Sequence, residues 1–264
     1  MRVAGAAAHA DATSRSGRNS ACSTLAVELT IQVEDAELQA TLTLPPGICR
    51  AGVVVLHGAE AGERSYFLYE HLAELLARHD VAVLRYDRRR TPDGQDVPLQ
   101  TQAADARAAT KQLQDVVGGP VGLWGYSQGA WGATLAAVTD PDTVAFLICV
   151  SGCGVSPARQ MRVGCANQLR KHGFTELQVE ELVATRLAVE AFLRGGQDRE
   201  SVQVLLDRAA AQPWFDHAYL PPVLPAPGAW RDMDFDPQPV LDRLSCPVLA
   251  FYGESDEWMP LTRA

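Results

Sequence analysis

The stretch VGLWGYSQGAWGATLAAV, residues 121–138, decides the reading of the chain. Val121–Trp124 is a short apolar run of strand type, and Gln128–Val138 is rich in small residues that suit a closely packed helix. Between them stands Gly125-Tyr126-Ser127-Gln128-Gly129, a G-x-S-x-G sequence. Its pattern is that of a nucleophile elbow, a serine on a tight strand-to-helix turn with its hydroxyl projecting clear of the backbone. Glycine is required two residues before and after the serine, because strand and helix pass too close there for side chains. Glycine and serine frequencies alone predict roughly 0.07 such motifs in a chain of this length. Chance is a weak explanation.

Upstream, VAVLRY (81–86) and AGVVVLHG (51–58) are continuous apolar runs, the pattern of strands buried on both faces of a parallel sheet. A helix is expected over 67–79, with Phe67, Leu68, His71, Leu72, Leu75 and Leu76 as its spaced apolar face, and another over 101–117. TLAVELTIQV and ELQATLTL alternate apolar and polar residues around Glu34-Asp35, which predicts an N-terminal hairpin. Downstream, VAFLICV (144–150) and PVLAFYG (247–253) are further strands. Strands alternating with helices at short intervals give the fold class: α/β, with a mostly parallel sheet covered on both faces. From about 157 to 243 the pattern is interrupted by three helix-forming stretches and a Pro- and aromatic-rich loop from Pro213 to Pro239. This predicts a helical cap over the sheet's C-terminal edge, where open α/β sheets bind ligands. The expected organisation is a disordered leader over 1–23 and one domain over 24–264 that carries the insertion.

The 264 residues are 47% hydrophobic and 21% charged, which suits a globular chain with a substantial core. No run approaches the ~18 apolar residues of a membrane span. The net charge of −9 argues against nucleic acid or a membrane surface as partner. Six cysteines without C-x-x-C spacing suggest reduced thiols and a cytoplasmic location. No P-loop, dinucleotide fingerprint or H-E-x-x-H is present, so neither a cofactor nor a metal is expected. Asp232-Met233-Asp234-Phe235-Asp236 imitates the start of a calcium loop, but Pro237 stands where that loop needs glycine.

From AGVVVLHG through GYSQGAWGATLAA to CPVLAFYGESDEW, roughly residues 25–260, the chain resembles the α/β-hydrolase superfamily. It is similar to two of its branches, the prolyl-oligopeptidase/dienelactone-hydrolase-like group and the serine-aminopeptidase-like esterases. The resemblance implies Ser127 as nucleophile and His57-Gly58 as the start of an oxyanion loop, with the N–H groups of Ala59 and Gln128 as oxyanion donors. His57 then supports that loop, with a role as base the alternative. Gly253-Glu254-Ser255-Asp256 resembles the acid turn, with Asp256 ahead of its neighbours Glu254 and Glu257. The implied order is Ser, Asp, His, yet all six histidines (His9, His57, His71, His79, His172, His217) precede Asp256. The family's last helix, last strand and histidine loop are therefore expected to be missing, as in a chain truncated at its C-terminus.

Tyr86-Asp87-Arg88-Arg89-Arg90 resembles the family's turn after the fourth strand, with Arg90 replacing its glycine. It reads as a structural turn with solvated arginines rather than an anionic-substrate site. Trp214, Phe215, Tyr219 and Trp230 are candidates either for an acyl pocket or for packing the cap onto the sheet. The implied function is a serine hydrolase that cleaves a small-molecule ester or amide through an acyl-enzyme on Ser127, with esterase favoured. The alternatives are a peptidase of the prolyl-oligopeptidase type and a non-catalytic binding protein that keeps the pocket without a working triad.

Overall fold

Period-two alternation builds one end of the sheet. β1 (Leu25–Gln32) and β2 (Glu37–Leu44) form the expected hairpin, with Leu25 opposite Leu44 and Gln32 opposite Glu37. The structure, a computed structural model, describes residues 24–59, 62–92 and 94–260. The leader expected over 1–23, with His9 and Cys22, lies outside them.

Strands and helices then alternate as β3 (Ala51–Leu56), α1 (Phe67–Ala77), β4 (Val81–Tyr86), α2 (Leu99–Gln114), β5 (Val121–Tyr126), α3 (Gln128–Thr139) and β6 (Leu147–Val150). β7 (Val248–Phe251) follows the cap. The sheet order is β1-β2-β4-β3-β5-β6-β7; β2 runs antiparallel to β4, and every pair from β4 to β7 is parallel. β3 shows why the centre is apolar throughout. Val53 and Val55 pack with Tyr69, Ala73, Val83 and Trp124 on the α1 face. Val54 and Leu56 pack with Leu84, Leu123 and the alanines of α2 and α3 on the other. Each such buried side chain contributes about 1.5–3 kcal/mol. At the far edge β7 is different, since Val248, Leu249 and Phe251 are about half exposed.

α1 lies where expected but is rotated. Tyr69, Ala73 and Ala77 form its buried line, while Phe67 is 70% exposed and Leu75 45%. Alanine lets the helix axis approach the sheet closely, and Tyr69 reaches across to the Gly58 N–H. That corrects the face expected from the large apolar residues.

Between β6 and β7 the three helix-forming stretches fold as α4 (Pro157–Lys171), α5 (Glu176–Leu193) and α6 (Arg199–Ala210). Their starts are written locally. Ser156 caps α4 with Pro157 at its first position, Thr175 and Gln178 form a capping box on α5, and Asp198 caps α6. The cap has its own cores, one around Leu169, Leu182 and Trp214 and another around Val189, Phe192 and Leu206. The following loop contains a 3-10 turn at Phe215–His217 and α7 (Gln238–Leu241). Among the described residues, no helix is long and apolar enough to cross a membrane.

Candidate active site

β5 ends at Tyr126 and α3 begins at Gln128, which leaves Ser127 as the whole turn, at φ 52° and ψ −116°. A serine in this left-handed region carries strain of roughly 1–3 kcal/mol, so the surroundings must enforce it. They do so from both sides: the Ser127 N–H donates to the Val150 carbonyl at 2.8 Å, and the Ser127 carbonyl accepts from Ala130 at 3.0 Å. The two glycines are needed for different contacts. A Cβ at Gly125 would stand 2.6 Å from the Gly129 oxygen, so this glycine lets α3 close on its own strand. A Cβ at Gly129 would stand 2.4 Å from the Leu56 oxygen, so this one lets α3 lie against the end of β3. That second contact carries the elbow to His57-Gly58.

Ser127 opens into a cavity of about 800 Å³. Gly58, Ala59, Tyr126 and Gln128 line it beside the serine; Pro157, Gln160 and Met161 of α4, with Tyr219 and the 226–232 loop, line it from the cap. Ala59 and Gln128 thus both line the cavity that Ser127 lines. Neither N–H donates to another described residue; that of Gln128 belongs to the first turn of α3, where amides lack helical partners. The Gly58 N–H is already used, donating to Tyr69 Oη at 3.0 Å. Burial pushes the Tyr69 phenol up to about 12, so it stays neutral there.

His57 is 2% exposed and does not line the cavity. Its Nε2 lies 2.6 Å from the Tyr86 carbonyl, and burial, with the nearby Arg88 cation, pushes its pKa down to about 3. It is placed to tie the loop to β4. Protonation of the unfolded chain near 6.5, but of the folded chain only near 3, sets the sign of its effect. This stabilisation is complete above about pH 6.5 and declines on acidification, by up to about 1.4 kcal/mol per pH unit. His57→Gln is expected to flatten the acid limb of stability against pH, read as urea midpoints between about pH 6.5 and pH 4. An unchanged slope would place the imidazole in a protonatable setting. The other described histidines are farther out: His71 is exposed on α1 and His79 in the turn after it, and His172 stacks on His217 at 3.9 Å in the cap. None of the five lines the cavity.

Asp256 lies in the turn after β7, at the same sheet edge as Ser127 and separated from it by β6. Its Oδ1 accepts from the Trp258 N–H at 3.1 Å, and Trp258 lines the cavity. Glu257 is held by Lys171 at 2.8 Å and Gln168 at 2.7 Å, and the Lys171 contact lowers its pKa. Glu254 is exposed. The turn is docked on the cap, since the Trp258 ring lies where a Cβ on Gly164 of α4 would be 2.1 Å away.

The arginine turn differs from expectation. Arg88 is 6% exposed rather than solvated, because its Nη1 donates to the Gly58 carbonyl at 3.0 Å and its Nη2 to the Ala59 carbonyl at 2.7 Å. Asp96 pairs with it at 3.0 Å and accepts from the Gln128 side chain at 3.3 Å. Arg89 forks onto buried Asp105 at 3.0 Å, and only Arg90 is exposed, at the cavity rim. Arg88 and Asp96 were missed in the sequence; the one available signal was an arginine run leaving a strand beside the His-Gly loop. Of the four aromatic candidates, Tyr219 and Trp230 line the cavity, while Trp214 is fully buried and Phe215 packs against it. Tyr66, Trp131 and Trp258 complete its aromatic wall. Asp232, Asp234 and Asp236 serve separate partners: the Leu99 N–H, Arg194 and the Gln238 N–H.

Among solved structures, the proline iminopeptidase of Mycobacterium smegmatis is similar with a TM-score of 0.55 and 16% identity, over 89% of this chain and 84% of its own. VinJ gives 0.53 and 15%, over 89% and 84%. Both likenesses concern the fold. A dienelactone hydrolase from Anabaena variabilis is 25% identical with a TM-score of 0.42, over 49% of this chain and 64% of its own. The chain spans between 52% and 64% of the length of that protein and of five further esterase and hydrolase structures similar to it. No curated protein sequence matches. The family profile described as "Alpha/beta hydrolase family" matches residues 53–264, which contain the Ser127 turn, the His-Gly loop, the cap and the turn that carries Asp256. The chain belongs to the alpha/beta hydrolase family.

Proposed function

We propose that the chain carries the acyl-accepting site of a serine hydrolase for small-molecule esters, with Ser127 as the nucleophile, and that its described residues alone turn an ester over too slowly to register above background. The observation that carries this reading is Ser127 on a strained turn, opening into an aromatic cavity between two backbone N–H groups that serve no other described residue. Attack by the Ser127 hydroxyl on a carbonyl puts negative charge on its oxygen, which the N–H groups of Ala59 and Gln128 receive. Asp256 is the acid that orients and stabilises a protonated base. The proposal assigns that base to none of the five described histidines. An ester is favoured over a peptide because the carboxylates on the cavity wall are engaged, Asp96 by Arg88 and Asp232 by the Leu99 N–H. Neither is free to anchor an amino terminus.

A second reading, a non-catalytic binding protein, is favoured by the cavity's lack of a histidine among the described residues. Prolonged incubation with p-nitrophenyl acetate and peptide mass mapping separates the two. A hydrolase site accumulates an acetyl group on Ser127, since deacylation needs the same base. No acetyl there, with ligand binding intact, would favour the binding protein.

A further inference from the structure

We propose that Arg88 is the positioning residue of the oxyanion site: it aims the Ala59 N–H into the cavity by holding the peptide that carries it. This rests on the reading of Ser127 as nucleophile. The Gly58 carbonyl and the Ala59 N–H belong to one planar trans peptide, so they point in opposite directions. Arg88 Nη1 holds that carbonyl at 3.0 Å, and Nη2 holds the next one, on Ala59, at 2.7 Å. Tyr69 takes the Gly58 N–H on the other side. Of the four backbone polar groups of Gly58-Ala59, three are thus anchored in the protein. The one left over is the Ala59 N–H, on a residue that lines the cavity beside Ser127.

The guanidinium is suited to this because its fork holds two carbonyls at a fixed separation, which a point-charge ammonium does not. Its charge also polarises the Gly58–Ala59 peptide toward a stronger donor. Asp96 fixes the arginine at 3.0 Å and accepts from the Gln128 side chain, so one polar chain joins the residues of both oxyanion donors. An oxyanion donor contributes only if it is in place before the charge develops, and losing one costs ~10²–10³ in rate.

The test is the rate at which a fluorophosphonate labels Ser127, followed against reagent concentration in wild type, Arg88→Met, Arg88→Lys and Asp96→Asn, each checked by its melting curve. Arg88→Met is expected to lower the maximal labelling rate about 10–100-fold with the half-saturating concentration little changed. Arg88→Lys should recover part of the loss, because one ammonium can still hold one carbonyl. Asp96→Asn should show a smaller loss in the same parameter, and it decides the matter if Arg88→Met does not fold. Equal maximal rates, or a loss confined to the half-saturating concentration, overturn the inference while the proposed function stands. A wild type that takes no label on Ser127 ends both.

Discussion

The purified chain is expected to hydrolyse p-nitrophenyl acetate no faster than its Ser127→Ala variant, within the scatter of the assay. A serine hydroxyl is a weak nucleophile near neutral pH, and a triad histidine must both remove its proton and protonate the leaving group. His57, the histidine nearest the elbow in the fold, is buried, held by the Tyr86 carbonyl and neutral down to about pH 3. His172 and His217 face each other in the cap, and His71 on α1 and His79 in the turn after it are exposed. In a related triad system, loss of the histidine costs ~10⁶ in kcat and leaves ~10³–10⁴ over water. Turnover that is robust in wild type and lost in Ser127→Ala would contradict this and show that a histidine reaches the serine. His217→Ala and then His57→Ala would identify it.

The second large effect concerns folding. Gly129→Ala is expected to cost about 3 kcal/mol, because the new Cβ meets the backbone of Leu56 at 2.4 and 2.6 Å and the His57 oxygen at 2.8 Å. Those atoms belong to the end of β3, which cannot shift without disturbing the centre of the sheet. For a chain of this size the loss corresponds to a fall in Tm of roughly 6–12 °C. Gly132→Ala, one turn further along α3, is the matched control. Its Cβ would meet the flexible end of Leu56 at 3.3 Å and the Gln102 Cβ at an ordinary contact distance of 3.8 Å, and alanine favours a helix interior by about 0.5–1 kcal/mol. Melting curves showing both variants close to wild type would refute the close approach of α3 to β3.

How far the sequence could be read follows from what each feature depends on. β3, β4 and β5 were legible because strands buried on both faces carry continuous apolar runs, and the elbow because its serine and both glycines fall within five consecutive residues, although the contact that requires Gly129 is with Leu56, far away in the chain. The buried line of α1 was not. Ala73 and Ala77 contribute by being small, which hydrophobic spacing undervalues beside Phe67 and Leu75. Arg88 was misplaced for a similar reason. Its partners are backbone carbonyls thirty and twenty-nine residues earlier, and an arginine bound to carbonyls has no signature in sequence. The helical insertion was visible as a break in the strand pattern, whereas the seating of Trp258 on Gly164 needed the fold.

The nucleophile itself is tested most directly by fluorophosphonate labelling with peptide mapping of the intact chain, beside Ser127→Ala. The expected result is one slow adduct, on the peptide that contains Ser127, and none on the variant, because the strained turn holds that hydroxyl clear of the backbone on the wall of the cavity. An adduct on another serine, such as Ser151 or Ser255, or a label of equal extent on Ser127→Ala, would contradict it.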